Sequence, residues 1–156
     1  MLSRQEYLGQ LIATARRRLK QAVLNRARRF RLSPLQFWTL LTLHEHAGAT
    51  LGELARLQGV DAPTASRVVA ALKRRGLLRL TADQADRRRA RIELSVAGLA
   101  LLPELEVIAV SVRAALVEGL TAAQERALRA SLVKVIGNLE RFDLATSARS
   151  QKSRRS

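Results

Sequence analysis

Two short helical patterns separated by a glycine constrain the fold more than any other feature of this sequence. The first pattern opens with Thr50 and Glu53, which form a capping box, and it ends at Gly59. The second begins at Asp61, has a proline in its first turn, and ends before Gly76. Because only a short break separates them, the spacing predicts a helix-turn-helix.

Two segments of alternating polarity follow, residues 78–80 and 90–94, joined by a polar loop. Alternation of this kind is typical of strands, so the region is predicted to be a β-hairpin with a charged tip. Helical periodicity covers most of the remaining chain. The predicted fold class is therefore mostly α with a small β-hairpin wing. Capping signals place the starts of four further helices at Ser3, Ser33, Ser95 and Thr121.

The tip of the hairpin carries three adjacent arginines, Arg87, Arg88 and Arg89. Their mutual repulsion favours an anionic partner, and a purely solubilising loop is the alternative. Asp86 is placed to pair with one of these guanidinium groups and to fix its direction. An arginine directed in this way suits a narrow minor groove of DNA, where the negative potential is strongest.

The apolar stripes of the first, fifth and sixth predicted helices exceed what a small winged domain needs to cover. A homodimer interface is therefore favoured over a purely internal core. One domain is expected at residues 1–144, with a winged helix-turn-helix at 32–95 and long dimerisation helices at 1–31 and 96–144. Residues 145–156 have no apolar period and are predicted to form a disordered basic tail.

The chain of 156 residues has 28 basic and 13 acidic residues, a net charge of +15, and the excess is clustered. Residues 1–31 hold nine basic residues and one acidic residue, and residues 56–91 hold ten basic and three acidic residues. This pattern favours double-stranded DNA as the partner. Cysteine is absent, and no segment resembles a membrane span or an export signal. A cytoplasmic, nucleoid-associated protein without a membrane partner is expected.

One face of the second helix of the helix-turn-helix suits entry into a DNA groove. Opposite the apolar stripe, Arg67 lies among small residues, and its guanidinium is able to donate two hydrogen bonds to a guanine. The far end of the helix, including Arg75, suits phosphate, or it simply complements the helix C-terminus. The predicted DNA contacts on this helix are Pro63, Thr64, Ser66, Arg67, Lys73 and Arg74.

Four residues are candidates for binding a small molecule: Tyr7, Phe37, Trp38 and His44. The alternative for the aromatic residues is packing in the core. His44 and His46 point to different sides of a helix, so no shared metal ion is expected. No cofactor is predicted, and neither is an enzyme acting on nucleic acid, because the acidic residues are scattered among arginines.

The stretch from Leu54 to Gly98 resembles the MarR family of winged helix-turn-helix transcription regulators. The matching residues are Leu54-Ala55, Pro63-Thr64-Ala65-Ser66-Arg67, Leu72 with Gly76-Leu77, Asp83 with Asp86-Arg87-Arg88, and Leu94-Ser95 with Gly98. The order of six helices agrees as well, so the resemblance covers about residues 5–142. It implies a homodimer joined by the first, fifth and sixth helices, with Arg88 in the minor groove and Asp86 orienting it. It also implies a repressor that responds to a small-molecule effector.

The function indicated by these observations is that of a sequence-specific transcription regulator, a homodimer on a pseudo-palindromic operator in double-stranded DNA. The alternative is an architectural protein that coats DNA with weak sequence preference. The net charge of +15 and the basic C-terminal residues support that alternative. Binding to random DNA separates the two classes, because only a specific regulator prefers one sequence.

Overall fold

The computed structural model of the chain describes residues 7–82 and 90–153, with side chains described as far as residue 143. The chain divides into two compact units between residues 116 and 117. The helix start predicted at Ser3 lies outside the described residues.

Helices make up most of the described chain, and the predicted fold class is confirmed. The helices that begin in the first unit are α1 (Leu8–Ala27), α2 (Pro34–Glu45), α3 (Leu51–Gln58), α4 (Ala62–Arg74) and α5 (Val96–Val117). A short 3-10 turn, Arg28–Phe30, follows α1. The strands are β1 (Ala49–Thr50), β2 (Leu78–Ala82) and β3 (Ala90–Leu94). The second unit consists mainly of α6 (Ala122–Ser153).

The predicted capping boxes begin α2 and α3. The Ser33 hydroxyl accepts a hydrogen bond from the Gln36 amide, and the Gln36 side chain accepts one from the Ser33 amide. Thr50 and Glu53 make the same reciprocal pair at α3. Donation from the Thr50 amide lowers the pKa of the Glu53 carboxyl below its ordinary value. These signals confirm where both helices start, because each involves residues only three positions apart.

The sheet has three antiparallel strands in the order β1-β3-β2. β2 and β3 form the predicted hairpin, with Leu78 opposite Leu94 and Ala82 opposite Ala90. β1 was not predicted, because its two residues were interpreted only as the segment that leads into the capping box of α3. It forms by pairing Ala49 with Ile92, which lies far away in the sequence. The hairpin is thereby attached to the start of the helix-turn-helix.

α2 lies at the centre of the first unit, as its almost uniformly apolar sequence predicts. Phe37 and Leu40 are completely buried, and α2 contacts α1, α3, α4 and β3. Side chains from the surrounding elements complete this core, among them Val23, Leu54, Leu72, Ile92 and Leu105. The helix-turn-helix and the hairpin are therefore supported by one continuous core.

The start of α5 packs closely against the chain that follows α4. The Ser95 hydroxyl donates to the Gly76 carbonyl (2.6 Å) and accepts from the Gly98 amide (3.1 Å). The Ser95 amide donates to the Leu77 carbonyl (3.0 Å). A Cβ atom at Gly98 would overlap that same carbonyl oxygen, so glycine is required at this position.

We expect Gly98→Ala to lower the free energy of unfolding by about 1–3 kcal/mol, because the backbone must move to relieve the overlap. Gly52→Ala in α3 is the matched control, since a Cβ there meets nothing within 4 Å. The control should be neutral or stabilising by about 0.5–1 kcal/mol. Urea unfolding at one fixed chain concentration measures both variants. A Gly98→Ala protein as stable as the wild type would contradict this close packing.

Helix α6 extends further than the sequence analysis predicts. Its backbone is helical to Ser153, so the boundary predicted at residue 145 falls inside the helix, and the disordered tail is wrong as far as that residue. Residues 145–153 contain neither glycine nor proline, so no helix-breaking residue stops the helix there. The apolar stripe of α6 is 40–68% exposed and consists of Leu128, Leu132, Ile136, Leu139 and Phe142.

Candidate nucleic-acid interface

The turn of the helix-turn-helix is made by Gly59. This residue has φ +60°, in the left-handed region that residues with a Cβ rarely enter. Its amide and that of the next residue donate to carbonyls in the last turn of α3. Asp61 then starts α4, because its carboxylate accepts a hydrogen bond from the Thr64 amide at 2.7 Å. The turn and the start of the second helix are as predicted.

The two faces of α4 divide as its periodicity predicts. Ala65, Val69 and Leu72 are buried against the core. The predicted DNA contacts lie elsewhere on the helix: Pro63, Ser66, Arg67, Lys73 and Arg74 are exposed, and Thr64 is half-buried. α4 therefore presents a basic face with small side chains, as groove entry requires. That these residues bind DNA stays a prediction.

Arg67 is oriented by its own helix. Its Nη2 donates to Thr64 Oγ1 at 3.1 Å. Hydrogen bonds from the Thr64 hydroxyl and amide lower the pKa of the Asp61 carboxyl below its ordinary value, and the charge of Arg67 acts in the same direction. Because Asp61 and Arg67 are exposed to solvent, these bonds fix the direction of the guanidinium more than they stabilise the fold. Thr64 was predicted only as a DNA contact, and its spacing of three residues from Arg67 was the signal for this second role.

Arg75 is not arranged like its neighbour Arg74. Its Nη1 donates to the Arg31 carbonyl at 2.9 Å, and its Nη2 donates to the Phe30 carbonyl at 2.7 Å. Both carbonyls belong to the turn that follows α1. The phosphate contact considered for Arg75 in the sequence analysis gives way to this internal contact. No sequence signal could have shown it, because the partners are backbone atoms more than forty residues away.

The wing is formed by β2 and β3. Arg79 Nη2 lies 2.7 Å from Glu93 Oε2 on the neighbouring strand, so this arginine is paired within the sheet. The half-buried Arg91 donates to the Gly48 carbonyl at 3.0 Å, which supports the sheet beside β1. The predicted tip residues lie outside the described residues, and their roles stay predictions: Asp86, Arg87, Arg88 and Arg89.

The candidate small-molecule residues occupy different surroundings. Phe37 is completely buried and packs edge-on against the half-buried Trp38, with ring centroids 5.1 Å apart, as the core alternative predicts. His44 Nε2 lies 3.4 Å from Glu106 Oε1, which connects α2 to α5. Tyr7 precedes α1 and is 58% exposed. A role in ligand binding stays a prediction for all four residues.

None of the helices in the described ranges is sufficiently long and apolar to cross a membrane. No three His, Cys, Asp or Glu side chains in the described part of the chain are grouped so that they could hold a metal ion.

Residues 32–89 match the sequence profile of the MarR family, a range that includes α2, α3 and α4. The chain is also 35% identical over 97 residues to the HTH-type transcriptional repressor NicR of Pseudomonas putida. That match covers 62% of this chain and 61% of NicR, so it spans less than two thirds of this relative.

Solved structures extend the similarity over most of the chain. The transcriptional regulator PA3341 is 32% identical with a TM-score of 0.77, and the match covers 86% of this chain and 99% of that one. BpsR of Bordetella bronchiseptica, whose DNA binding is regulated by 6-hydroxynicotinic acid, is 27% identical with a TM-score of 0.78. The match covers 86% of this chain and 96% of BpsR. The profile match, the curated relative and the shared fold together show that the chain belongs to the MarR family.

Proposed function

We propose that the protein is a homodimeric transcription repressor that binds a pseudo-palindromic operator in double-stranded DNA. In this proposal, α4 enters the major groove and the wing formed by β2 and β3 reaches the adjacent minor groove. A small molecule regulates binding, and the protein acts in the cytoplasm. The observation that carries the proposal is the exposed face of α4, on which Thr64 holds Arg67 in a fixed direction.

The chemistry of this face supports sequence-specific readout. A guanidinium donates two parallel hydrogen bonds to O6 and N7 of guanine, and this pairing is the commonest specific contact in the major groove. Ser66 and Ala70 on either side of Arg67 are small and exposed, so the helix backbone is able to approach the base edges. Lys73 and Arg74 extend the positive charge along the helix, where phosphate oxygens would lie.

Exposed apolar surface supports the homodimer. Leu132 and Ile136 are 40% and 56% exposed on α6, and Leu8 and Leu11 are 58% and 56% exposed on α1. Apolar stripes of this extent on a monomer mark an interaction surface. A second copy of the chain is the partner that fits, because a two-fold dimer presents two copies of α4 to the two halves of a palindromic operator.

The relatives support the repressor role and the effector. NicR is named as a transcriptional repressor, and the DNA binding of BpsR is regulated by 6-hydroxynicotinic acid. We therefore propose a small organic molecule as the effector of this protein. His44, which lies against Glu106 of α5, and Trp38, which is half-buried on the same helix α2, are the first positions to test for its binding.

Selection of bound duplexes from a random pool tests the proposal. We expect one enriched palindromic sequence, bound by two chains per duplex at an affinity about 10³-fold or more above that for random DNA. The stoichiometry is measured by mass on the selected duplex, with a random duplex as the control.

The alternative remains an architectural protein that coats DNA, and the net charge of +15 favours it. Under that alternative, the same selection yields no enriched sequence, and affinity depends on salt alone. Such a result would reject the specific-regulator proposal.

A further inference from the structure

The contact between Arg75 and the turn after α1 connects α4, the proposed DNA-reading helix, to α1, which belongs to the proposed dimer interface. Arg75 terminates α4, and its guanidinium donates to two successive carbonyls, those of Phe30 and Arg31. A planar guanidinium that donates two hydrogen bonds restricts both the distance and the angle between the groups it joins. The end of α4 is therefore held in one orientation relative to this turn.

The turn itself is held by both α1 and α5. It continues directly from α1, and Arg31 adopts φ +52°, the left-handed conformation that closes the 3-10 turn. Arg29 in the turn forms an ion pair with Glu104 of α5. One turn earlier, Arg26 Nε donates to Ser111 Oγ of α5 at 3.2 Å. The carbonyls that receive Arg75 are thus part of the assembly formed by α1 and α5.

We infer that Arg75 is a positioning residue that sets the angle of α4 relative to α1 and α5, and thereby the spacing of the two copies of α4 in the dimer. This inference rests on the proposed function, in which α1 belongs to the dimer interface and α4 reads DNA; α5 is tied to α1 by the two contacts above. The centres of two half-sites are separated by one turn of the duplex, about 10–10.5 base pairs, or by a multiple of it. A small change in the angle of α4 therefore moves the second copy of α4 out of register with its half-site.

The neighbouring Arg74 provides a matched control. Both arginines are exposed and carry the same charge, but it is Arg75 that donates to the two carbonyls of the turn. Arg75→Ala removes a charge and a connection, whereas Arg74→Ala removes a charge from the face predicted to meet phosphate. A difference between the two variants therefore isolates the connection from the charge.

The first experiment measures, without DNA, the distance between α1 and α4, which changes when the angle between these helices changes. Because the chain has no cysteine, Thr14→Cys in α1 and Ala70→Cys in α4 introduce the only two sites for spin labels, and both positions are exposed. Labelled protein is diluted with unlabelled chains so that each assembly carries one labelled copy. Pulsed electron resonance should give a narrow distance distribution for the parent protein. Arg75→Ala should widen it about twofold, and Arg74→Ala should leave it unchanged.

The second experiment measures the consequence on DNA. The selected operator is compared with duplexes in which one base pair is added or removed between the half-sites, which also rotates one half-site by about 35°. Arg75→Ala should reduce the preference for the native spacing by about threefold to tenfold and leave the salt slope unchanged. Arg74→Ala should weaken binding to all spacings by one factor and reduce the magnitude of the slope by about 2 for the dimer.

Arg75→Lys separates geometry from charge and remains informative if the alanine variant folds poorly. It keeps the charge but loses the planar fork. The width of the distance distribution and the preference for the native spacing should therefore lie between those of the parent protein and those of Arg75→Ala. Full recovery of distance width and spacing preference by lysine would overturn the inference, as would an Arg75→Ala protein that behaves like Arg74→Ala. If the parent protein selects no operator, the proposed function fails, while the distance measurement still decides the role of Arg75.

Discussion

Leu132→Glu on α6 should convert the dimer into a monomer and abolish operator binding. Leu132 lies in the apolar stripe of α6, and in the proposed dimer its side chain is buried against the partner. Burial of an unpaired carboxylate costs about 2 kcal/mol or more, and two-fold symmetry applies this cost twice. The dissociation constant of the dimer should therefore rise by about 10³-fold.

Sedimentation or light scattering at micromolar concentration measures this change, with a mass close to 17.3 kDa for the variant and about twice that for the wild type. Ala130→Glu is the matched control, because it adds the same charge on the opposite face of the same helix. The control should remain dimeric and bind its operator. A Leu132→Glu protein that stays dimeric would place the interface elsewhere.

Arg67→Ala should weaken binding to the preferred operator by about 1–3 kcal/mol, which is roughly 5- to 150-fold, and binding to random duplex much less. The reason is that a bidentate contact to guanine is lost only where guanine is present. Lysine at this position should restore part of the affinity, because a point charge replaces the planar fork. Binding isotherms on operator, on operator with the contacted guanine replaced, and on random duplex measure these losses at one salt concentration.

Thr64→Val tests whether the orientation of Arg67 matters. This variant removes the hydroxyl that accepts from Arg67 Nη2 but keeps the size of the side chain. We expect a smaller loss of affinity for the operator than for Arg67→Ala, and no further loss when the two changes are combined, because Thr64 then has nothing to orient.

A uniform loss of affinity for Arg67→Ala on all three duplexes would mean that α4 contacts only the DNA backbone.

Arg88→Ala at the wing tip provides a contrasting expectation within the same set of isotherms. Readout in the minor groove is degenerate and follows groove width, so the loss should appear on operator and on random duplex alike. It should be larger where A·T-rich steps flank the half-site, because the groove is narrower there. The two arginines therefore predict different patterns across the same duplexes.

The sequence alone was sufficient to predict the elements whose signals are local. The capping boxes at Ser33 and Thr50, the turn at Gly59 and the start of α4 at Asp61 all join residues within three or four positions. The buried and exposed faces of α4 followed from helical periodicity for the same reason. The fold class and the candidate DNA-binding face were therefore predictable from residue spacing.

The tertiary structure decided every feature whose partner is distant in the sequence. β1 exists because Ala49 pairs with Ile92, and Gly98 is required because the Leu77 carbonyl lies against it. In the sequence, nothing distinguishes Arg75 from the basic residues beside it. In the structure, its guanidinium donates to the Phe30 and Arg31 carbonyls. Spacing encodes contacts within a helix turn, whereas contacts between elements depend on how the core packs them together.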